Sequence, residues 1–155
     1  MREKKFGIIG KPLSHSLSPA LHNFWIKKNK VSANYSLIEV ELSEIGEVIK
    51  KIKNHELQGI NVTVPYKQAV IPFLDSIIGD AKETLSVNTI NLNNEGKVIG
   101  NNTDVYGLEK SFTNELSDKN LDQNKVLILG AGGVTPSVIY ALSKKGIKKI
   151  FISNR

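Results

Sequence analysis

The segment Asn61–Lys67, with the sequence NVTVPYK, combines two polar side chains and a lysine at the end of a predicted strand. Side chains alternate between the two faces of a strand, so Asn61 and Thr63 share one face. Lys67 follows the proline that ends the strand, and open α/β sheets bind ligands outside the carboxyl ends of their strands. Lys67 is therefore either a general acid/base or an ordinary surface lysine on a helix turn, and the segment alone favours neither.

Two further polar residues stand where predicted elements begin. Asn88, within Ser86–Thr89, lies at the start of a strand, and Asp104, within Asn102–Asp104, lies at the start of a helix. Asp104 could pair with Lys67 and hold it near a hydroxyl group that is being oxidised. The other interpretation, which a single aspartate at this position favours, is that Asp104 only caps its helix.

The segment Ser14–Pro19 places hydroxyl groups at the start of the first predicted helix. Ser18 and Pro19 suit the N-cap and first-turn positions. A helix N-terminus has unpaired N–H groups and a partial positive charge, and the hydroxyls of Ser16 and Ser18 would complete a site for a carboxylate. Simple capping with no ligand explains the same residues, and the segment alone favours it.

A glycine loop, Gly130–Thr135 (GAGGVT), lies between an apolar strand and a helix. Its glycines permit a tight turn and a close approach of the backbone to a pyrophosphate, although Thr135 occupies the third glycine position of the dinucleotide-binding pattern. The acidic residue that usually follows about 20 positions later is absent. Asn154 and Arg155 stand there instead, and an arginine favours a 2′-phosphate and hence NADP over NAD.

Apolar runs and helical patterns predict the elements that must position these residues. The predicted strands are 6–9, 34–40, 59–64, 87–92, 97–99, 126–129 and 149–153, and 87–99 is a hairpin. The predicted helices are 19–28, 43–53 with Ser43 as its N-cap, a short one after Pro65, 105–116 and 136–145.

The order of these elements predicts a three-layer α/β/α domain with a mostly parallel sheet over residues 1–117. The polar run 118–124 is the best linker candidate, and residues 125–155 match a partial Rossmann β-α-β unit. Such a unit alone leaves much of its apolar surface exposed, so we expect from the sequence that the chain is cut short.

Composition narrows the classes of function. The sequence has no cysteine, which excludes disulfides, thiolate catalysis and thiolate-bound zinc. The histidines His15, His22 and His55 lack metal-ligand spacing, so no metal is expected. We find neither a signal peptide nor an apolar run of the ~20 residues that a membrane span needs. We therefore expect a cytoplasmic protein with no membrane partner.

The net charge of +6 allows two interpretations. A basic surface can bind nucleic acid. However, the lysines are spread over several predicted helix ends, and aromatic residues do not interleave with them. This distribution favours an ordinary solvated surface with no nucleic-acid partner. A net positive charge also suits the binding of a small anionic substrate.

Taken in order, the motifs resemble the shikimate dehydrogenase family along all 155 residues. The segments that carry the resemblance are His15–Pro19, Asn61–Lys67, Val87–Thr89, Asn102–Asp104, Gly130–Gly133 and Asn154–Arg155. The resemblance implies NADPH-dependent, reversible reduction of 3-dehydroshikimate to shikimate in aromatic amino acid biosynthesis. Where the family usually has a small residue and an arginine after the glycine loop, this chain has Thr135 and Pro136.

The resemblance also implies a role for each candidate residue. Ser16 and Ser18 would hold the substrate carboxylate, and Lys67 would be the general acid/base beside Asp104. The residues that would contact ring hydroxyls are Asn61, Thr63, Asn88 and Asp104. The residues that would hold the cofactor pyrophosphate are Gly130, Ala131, Gly132, Gly133 and Val134, and those that would meet the adenosine ribose and its 2′-phosphate are Asn154 and Arg155.

The resemblance predicts that this chain is an N-terminal fragment of an NADP-dependent enzyme and is inactive alone. Two alternatives to this hypothesis remain. One is a quinate/shikimate dehydrogenase that uses NAD. The other is a non-catalytic module that binds shikimate through residues 1–117. The presence of both Lys67 and Asp104 favours a catalyst. We expect a monomer or a homodimer.

Overall fold

The computed structural model describes residues 3–112 and 125–155, which form two β-sheets. The strands of the first sheet are β1 (Lys4–Gly10), β2 (Ala33–Glu39), β3 (Gly59–Val62), β4 (Ser76–Ile77), β5 (Thr89–Leu92) and β6 (Val98–Asn101). Its helices are α1 (Ser18–Lys28), α2 (Ile45–Lys53), α3 (Asp80–Thr84) and α4 (Asp104–Phe112). In the second sheet, α5 (Thr135–Lys144) connects β7 (Lys125–Leu129) to β8 (Lys149–Ser153). We call residues 3–112 the first unit and residues 125–155 the second unit.

The first sheet has the strand order β2-β1-β3-β5-β6-β4. Strand β1 is parallel to β2 and β3, and β4 is parallel to β6, whereas β5 is antiparallel to both of its neighbours. The predicted α/β fold with a mostly parallel sheet is therefore confirmed. The antiparallel pair is the predicted hairpin, in which the Asn93 side-chain oxygen accepts hydrogen bonds from the N–H groups of Glu95 and Lys97 at 2.9 Å.

Helix α2 covers one face of the first sheet because its apolar residues recur at helical spacing. Ile45, Val48, Ile49 and Ile52 are all buried, as the repeat of three and four residues requires of one helix face. They form the main core with the strand residues Ile9, Ile60, Val62, Ile90 and Val98.

Helix α1 lies on the opposite face, so the first unit has three layers. Neighbouring strand residues point to opposite faces, and Ile8 accordingly joins a second apolar cluster with Tyr35 of β2 and Ile26 of α1. The Asn23 side chain of α1 accepts a hydrogen bond from the N–H of Tyr35 at 2.9 Å and donates one to its carbonyl at 2.8 Å. This pair of bonds ties α1 to β2.

The second unit is a single β-α-β crossover. Strands β7 and β8 are parallel, with Val126 opposite Ile150. Leu142 of α5 and Ile147 are buried against the apolar side chains Val126, Ile128, Val138 and Ile150. Gly146 has a φ of 83°, a conformation in which glycine ends a helix without strain.

Two predicted N-caps are wrong by one or two residues. Ser18 is the first residue of α1 and Leu17 holds the cap position, with no side-chain cap. Ser43 lies inside a short 3₁₀ helix, Leu42–Glu44, and α2 begins at Ile45. The N-cap of this 3₁₀ helix is Glu41, whose N–H donates to the Glu44 carboxylate at 2.6 Å, and Glu44 is in turn the N-cap of α2. A carboxylate pair therefore takes the place that the sequence assigned to a serine hydroxyl.

Several predicted boundaries also shift. Strand β3 ends at Val62, because the chain turns before Pro65, and the short helix predicted after that proline is a 3₁₀ helix at Ile71–Phe73. Strand β4 and helix α3 were not predicted. The C-terminal end of the helix predicted over 105–116 and the linker predicted over 118–124 lie outside the described residues.

Replacing Ile52 by alanine will test the α2 core. Ile52 is fully buried, so Ile52→Ala leaves a cavity and is expected to lower the free energy of unfolding by about 2–5 kcal/mol. Ile78→Ala is the matched control, since the Ile78 side chain is 44% exposed. Urea denaturation measures both variants, and an equal effect of the two substitutions would contradict this description of the core.

Candidate active site

The sheet topology brings four predicted polar segments to one edge. The parallel strands β1 and β3 end there, and the N–H of Lys11 donates to the carbonyl of Val64 at 3.1 Å just beyond both ends. Strand β5 runs the other way and begins at this edge, and β6 ends there. The segments that follow β1 and β3, precede β5 and follow β6 therefore converge, as the carboxyl-end rule for α/β sheets predicts.

Lys67 and Asp104 form an ion pair at this edge. The Lys67 Nζ lies 2.7 Å from the Asp104 Oδ2, and the two side chains are only 10% and 22% exposed. The interpretation of Lys67 as an ordinary surface lysine is therefore wrong. Its backbone is also fixed, because the Lys67 carbonyl accepts a hydrogen bond from the N–H of Val87 at 2.8 Å.

Asn88 orients the carboxylate of this pair. Its side-chain nitrogen donates to the Asp104 Oδ1 at 2.8 Å, and its side-chain oxygen accepts from the backbone N–H of Thr103 at 3.0 Å. Because a backbone N–H can only donate, the Asn88 oxygen must face Thr103 and its nitrogen must face Asp104. Asp104 thus receives one donor on each of its two oxygens.

Asn102, not Asp104, caps helix α4. The Asn102 Oδ1 accepts hydrogen bonds from the N–H groups of Asp104 and Val105 at 2.9 and 3.2 Å. The interpretation of Asp104 as a simple cap is therefore wrong, and its carboxylate is left to bind Lys67. The sequence contained this signal, since asparagine is among the preferred N-cap residues, but it was assigned to the aspartate two positions later.

Asn61 and Tyr35 extend the same polar network across the sheet. The Asn61 side-chain oxygen accepts a hydrogen bond from the Tyr35 hydroxyl at 2.7 Å. Its nitrogen lies 3.2 Å from the carbonyl of Asn88 and 3.3 Å from the Thr89 hydroxyl. Tyr35 and Thr89 were not predicted as site residues. Their contacts with Asn61 depend on the order of the strands in the sheet, which the residues around them do not indicate.

The other three candidates lie near this edge outside the hydrogen-bonded network. The Ser16 hydroxyl accepts from the N–H of Ser18 at 3.4 Å. Thr63 is half-buried, and its N–H donates to the carbonyl of Ile9 at 2.9 Å. Among the described residues, no side chain hydrogen-bonds to the hydroxyls of Ser18 or Thr63, so these two groups are open to a ligand.

The glycine loop of the second unit leaves space above its backbone. Gly130 has a φ of 107°, and a Cβ placed on Gly130 or Gly132 would meet nothing within 4 Å. The loop leads into the N-terminus of α5, where backbone N–H groups attract anions. The open backbone and the helix end fit a pyrophosphate group.

Asn154 and Arg155 border this loop. The Asn154 side-chain oxygen accepts a hydrogen bond from the N–H of Ala131 at 3.2 Å. Both residues line a cleft of about 360 Å³ together with Leu129, Gly130 and Ser153. A nucleotide ribose beside the loop would therefore meet the two residues that the sequence assigned to it.

A larger cleft of about 690 Å³ lies between the two units. Its lining includes Lys67 and Gln68 from the first unit and Gly132, Gly133 and Tyr140 from the second. The predicted proton-transfer group and the predicted cofactor loop thus face one cavity. Thr135 and Pro136, which replace the usual small residue and arginine, also line it.

Buried polar contacts hold the two units together at this cleft. The Ser86 hydroxyl donates to the carbonyl of Gly133 at 3.1 Å, and the Asn102 side-chain nitrogen lies 2.9 Å from the Ser137 hydroxyl. Ser86 and Ser137 are fully buried. Ser137 was not among the predicted site residues. Its place on the first turn of the predicted helix 136–145, among apolar residues, was nevertheless a signal that its hydroxyl bonds to another polar group.

An ion pair adds to this interface. Lys144 of α5 lies 2.6 Å from Glu109 of α4 and 3.9 Å from Asp80. The hydrogen bond to Glu109 raises the pKa of Lys144 above its ordinary value. Lys144 is 39% exposed, so solvent screens its charge and each of these pairs contributes little stability by itself.

The described part of the chain has neither a metal-binding cluster nor a membrane-spanning helix. Across residues 3–112 and 125–155, no three acidic, histidine or cysteine side chains are grouped so that they could hold a metal ion. No helix in these residues is long and apolar enough to cross a membrane.

Comparison with protein families identifies two matches. The family described as "Shikimate dehydrogenase substrate binding domain" matches residues 8–90. The family described as "Shikimate / quinate 5-dehydrogenase" matches residues 112–155. The first match covers most of the first unit, and the second covers the whole of the second unit.

Individual relatives extend the similarity over nearly the whole chain. The NADP(+) shikimate dehydrogenase of Pelagibacter ubique is 47% identical over 99% of this chain and 57% of its own length. The crystal structure of the Aquifex aeolicus shikimate dehydrogenase matches with a TM-score of 0.87 at 40% identity, covering 99% of this chain and 56% of that one. The Thermus thermophilus shikimate 5-dehydrogenase in complex with NADP(H) and shikimate matches with a TM-score of 0.82 at 30% identity, covering 98% and 56%. This chain thus spans just over half the length of these relatives.

The substitution Asn102→Ala will test whether this residue organises the site. It removes the cap of α4 and leaves the Ser86 carbonyl without the amide that donates to it at 2.7 Å. Since Asn102 is buried, we expect a loss of about 2–4 kcal/mol in the free energy of unfolding. The exposed Asn91 is the control, and Asn91→Ala is expected to change it by less than about 0.5 kcal/mol. If chemical denaturation shows equal effects for the two variants, Asn102 does not organise the site.

Proposed function

Because the chain belongs to the shikimate dehydrogenase substrate-binding domain family, we propose that it binds shikimate and 3-dehydroshikimate and serves their NADP-dependent interconversion. The single observation that carries this proposal is that Lys67, which is paired with Asp104, lines one cleft together with the glycine loop. Such a reaction needs a group that transfers a proton at the oxygen and a dinucleotide that exchanges a hydride at the carbon, so both must reach the same substrate.

We infer that the substrate lies along the carboxyl edge of the first sheet. Its carboxylate would meet the hydroxyls of Ser16 and Ser18, which lie at the N-terminal end of α1. Its ring hydroxyls would meet the polar side chains Asn61, Thr63, Asn88 and Asp104. The free hydroxyls of Ser18 and Thr63 support this assignment, and a polyol carboxylate of this size fits the mixture of donors and acceptors at the edge.

Lys67 moves the proton in the proposed reaction. The chemistry that NADPH supplies when bound is a hydride for the carbonyl carbon. Lys67 donates a proton to the carbonyl oxygen as that oxygen becomes a hydroxyl, and it takes the proton back in the reverse direction. Asp104 holds the ammonium group in place at 2.7 Å, and Asn88 holds Asp104. The side chains that position the lysine are thus fixed before substrate binds, which lowers the cost of arranging them.

The second unit provides the cofactor contacts in this proposal. The backbone of Gly130, Ala131, Gly132, Gly133 and Val134 would hold the pyrophosphate. Arg155 would pair with the 2′-phosphate of NADP, and Asn154 would meet the ribose. The position of Asn154 and Arg155 on the cleft beside the glycine loop supports this.

The domain division follows from the same proposal. Residues 1–117 would be the substrate-binding domain, 118–124 the linker and 125–155 the start of the dinucleotide-binding domain. The cytoplasmic location and the monomeric or homodimeric state stay predictions.

A shikimate titration followed by thermal unfolding will test substrate binding by this chain. We expect shikimate to raise the melting temperature of the parent. The double variant Lys67→Ala, Asp104→Ala is expected to lose this shift, because it lacks the central pair of the site. The matched control is Glu95→Ala, Lys97→Ala, which removes an exposed ion pair with a 2.9 Å separation on the β5–β6 hairpin. The control should keep the shift, and a parent that shows no shift would contradict the proposal.

The choice between NADP and NAD can be tested with nucleotide fragments. We expect 2′,5′-ADP to bind the second unit more tightly than 5′-AMP, which lacks the 2′-phosphate. Arg155→Gln is expected to weaken 2′,5′-ADP binding about tenfold, the effect of a charge-assisted hydrogen bond, and to leave 5′-AMP binding unchanged. Calorimetry or NMR titration measures both affinities. Equal affinities in the parent would argue against a 2′-phosphate site and for NAD.

A further inference from the structure

Tyr35 contacts the candidate site through a single atom, its hydroxyl oxygen. It lies on β2, two strands away from Asn61 on β3, with β1 between them. The Tyr35 hydroxyl nevertheless reaches the Asn61 side-chain oxygen at 2.7 Å. The residue is 4% exposed, so the hydrogen bond to Asn61 replaces the hydrogen bonds that this hydroxyl would make to water.

The rest of Tyr35 is held rigidly. Its ring stacks on His22 of α1 with a centroid separation of 4.2 Å and an interplanar angle of 5°. Its backbone N–H and carbonyl both bond to the Asn23 side chain. Burial raises the pKa of the Tyr35 phenol, so the hydroxyl stays protonated and able to donate at neutral pH.

The hydrogen-bond partners of Asn61 leave it one free position. Its side-chain nitrogen has two protons, and these face the Asn88 carbonyl at 3.2 Å and the Thr89 hydroxyl at 3.3 Å. Its oxygen has two lone pairs, of which the Tyr35 hydroxyl takes one. The carbonyl of Asn88 can only accept, so the amide cannot be turned around without placing two oxygens against each other. What remains is one acceptor position on the Asn61 oxygen.

One series of hydrogen bonds leads from Asn61 to the ion pair, with each residue donating to the next. The Thr89 hydroxyl, which accepts from Asn61, donates to the Asn88 side-chain oxygen at 3.0 Å. The Asn88 nitrogen donates to Asp104, which also binds Lys67. Tyr35 is therefore the first donor of a continuous chain that ends at the ion pair.

We propose that Tyr35 is a positioning residue that, together with the Asn88 carbonyl, holds the Asn61 carboxamide so that Asn61 meets a bound substrate only as a hydrogen-bond acceptor. Asn61 then recognises a hydroxyl group, which can donate, and discriminates against a carbonyl or ether oxygen at the same place on the ring. This inference rests on the proposed function for the identity of the substrate. The orientation of Asn61 is a property of the free protein and can be measured without any ligand.

The substitution Tyr35→Phe removes only the hydroxyl oxygen and keeps the ring that stacks on His22. The matched control is Tyr66→Phe, because Tyr66 is equally buried at 5% and its hydroxyl bonds at 2.8 Å to a backbone carbonyl, that of Val40, in the main core. Both variants lose one buried tyrosine hydroxyl, so a general effect on stability should be the same in both.

Two measurements on the 155-residue chain decide the proposal. The first is calorimetric titration with shikimate, in which Tyr35→Phe is expected to bind about tenfold more weakly, the equivalent of one lost hydrogen bond. Tyr66→Phe is expected to stay within about twofold of the parent. Equal affinities for the two variants would overturn the proposal.

The second measurement is the NMR spectrum of the Asn61 side-chain amide without ligand, assigned by the signals that disappear in Asn61→Asp. Tyr35→Phe is expected to shift these two proton signals and to speed their exchange with water, whereas Tyr66→Phe is expected to leave them in place. Unchanged signals in Tyr35→Phe would overturn the role of Tyr35 even if shikimate does not bind. A parent that fails to bind shikimate but shows the expected amide change would refute the proposed function alone.

Discussion

The arrangement at this site depends on the burial of one ion pair, Lys67 with Asp104. Removing a charged group from water is unfavourable unless its partner and further hydrogen bonds replace the lost solvent. Here the Asn88 side chain donates a hydrogen bond to the Asp104 carboxylate oxygen that does not bind Lys67. Asn102 caps helix α4, so the Asp104 carboxylate is not needed as the cap. The strand order serves the same end, because the antiparallel strand β5 brings Asn88 to the edge where β3 and β6 end. Asparagine side chains suit this task, since each offers both a donor and an acceptor.

The sequence predicted those parts of the fold that depend on local pattern. The apolar spacing of Ile45, Val48, Ile49 and Ile52 predicted α2, and the strand–glycine–helix order predicted the second unit. The α/β class with a mostly parallel sheet followed from the order of elements. The N-cap predicted at Ser43 was wrong because the Glu41 and Glu44 carboxylates form a capping box there. The one predicted at Ser18 was wrong because Ser18 is already inside the helix, and the cap position falls on Leu17, which has no capping side chain.

The candidate site was predictable to the extent that its residues lie in recognisable segments. The pairing of Lys67 with Asp104 was one of two open interpretations, and the structure places the two side chains in contact. Tyr35, Thr89 and Ser137 were not identified, because their importance depends on which residues lie opposite them across strands or units. The register that sets Asn61 opposite Thr89 is fixed by the core on the other face of the sheet, and no pattern near either residue encodes it.

Folding and ligand binding place different requirements on residue 132 of the glycine loop. Gly132 lies outside the left-handed region, and an added methyl group there would touch nothing within 4 Å. Selection for folding alone would therefore tolerate alanine at this position. In the proposed complex, a nucleotide resting on the loop would collide with that methyl group. Under that proposal Gly132 is required by cofactor binding and not by folding, whereas the fully buried Ile52 is required by folding.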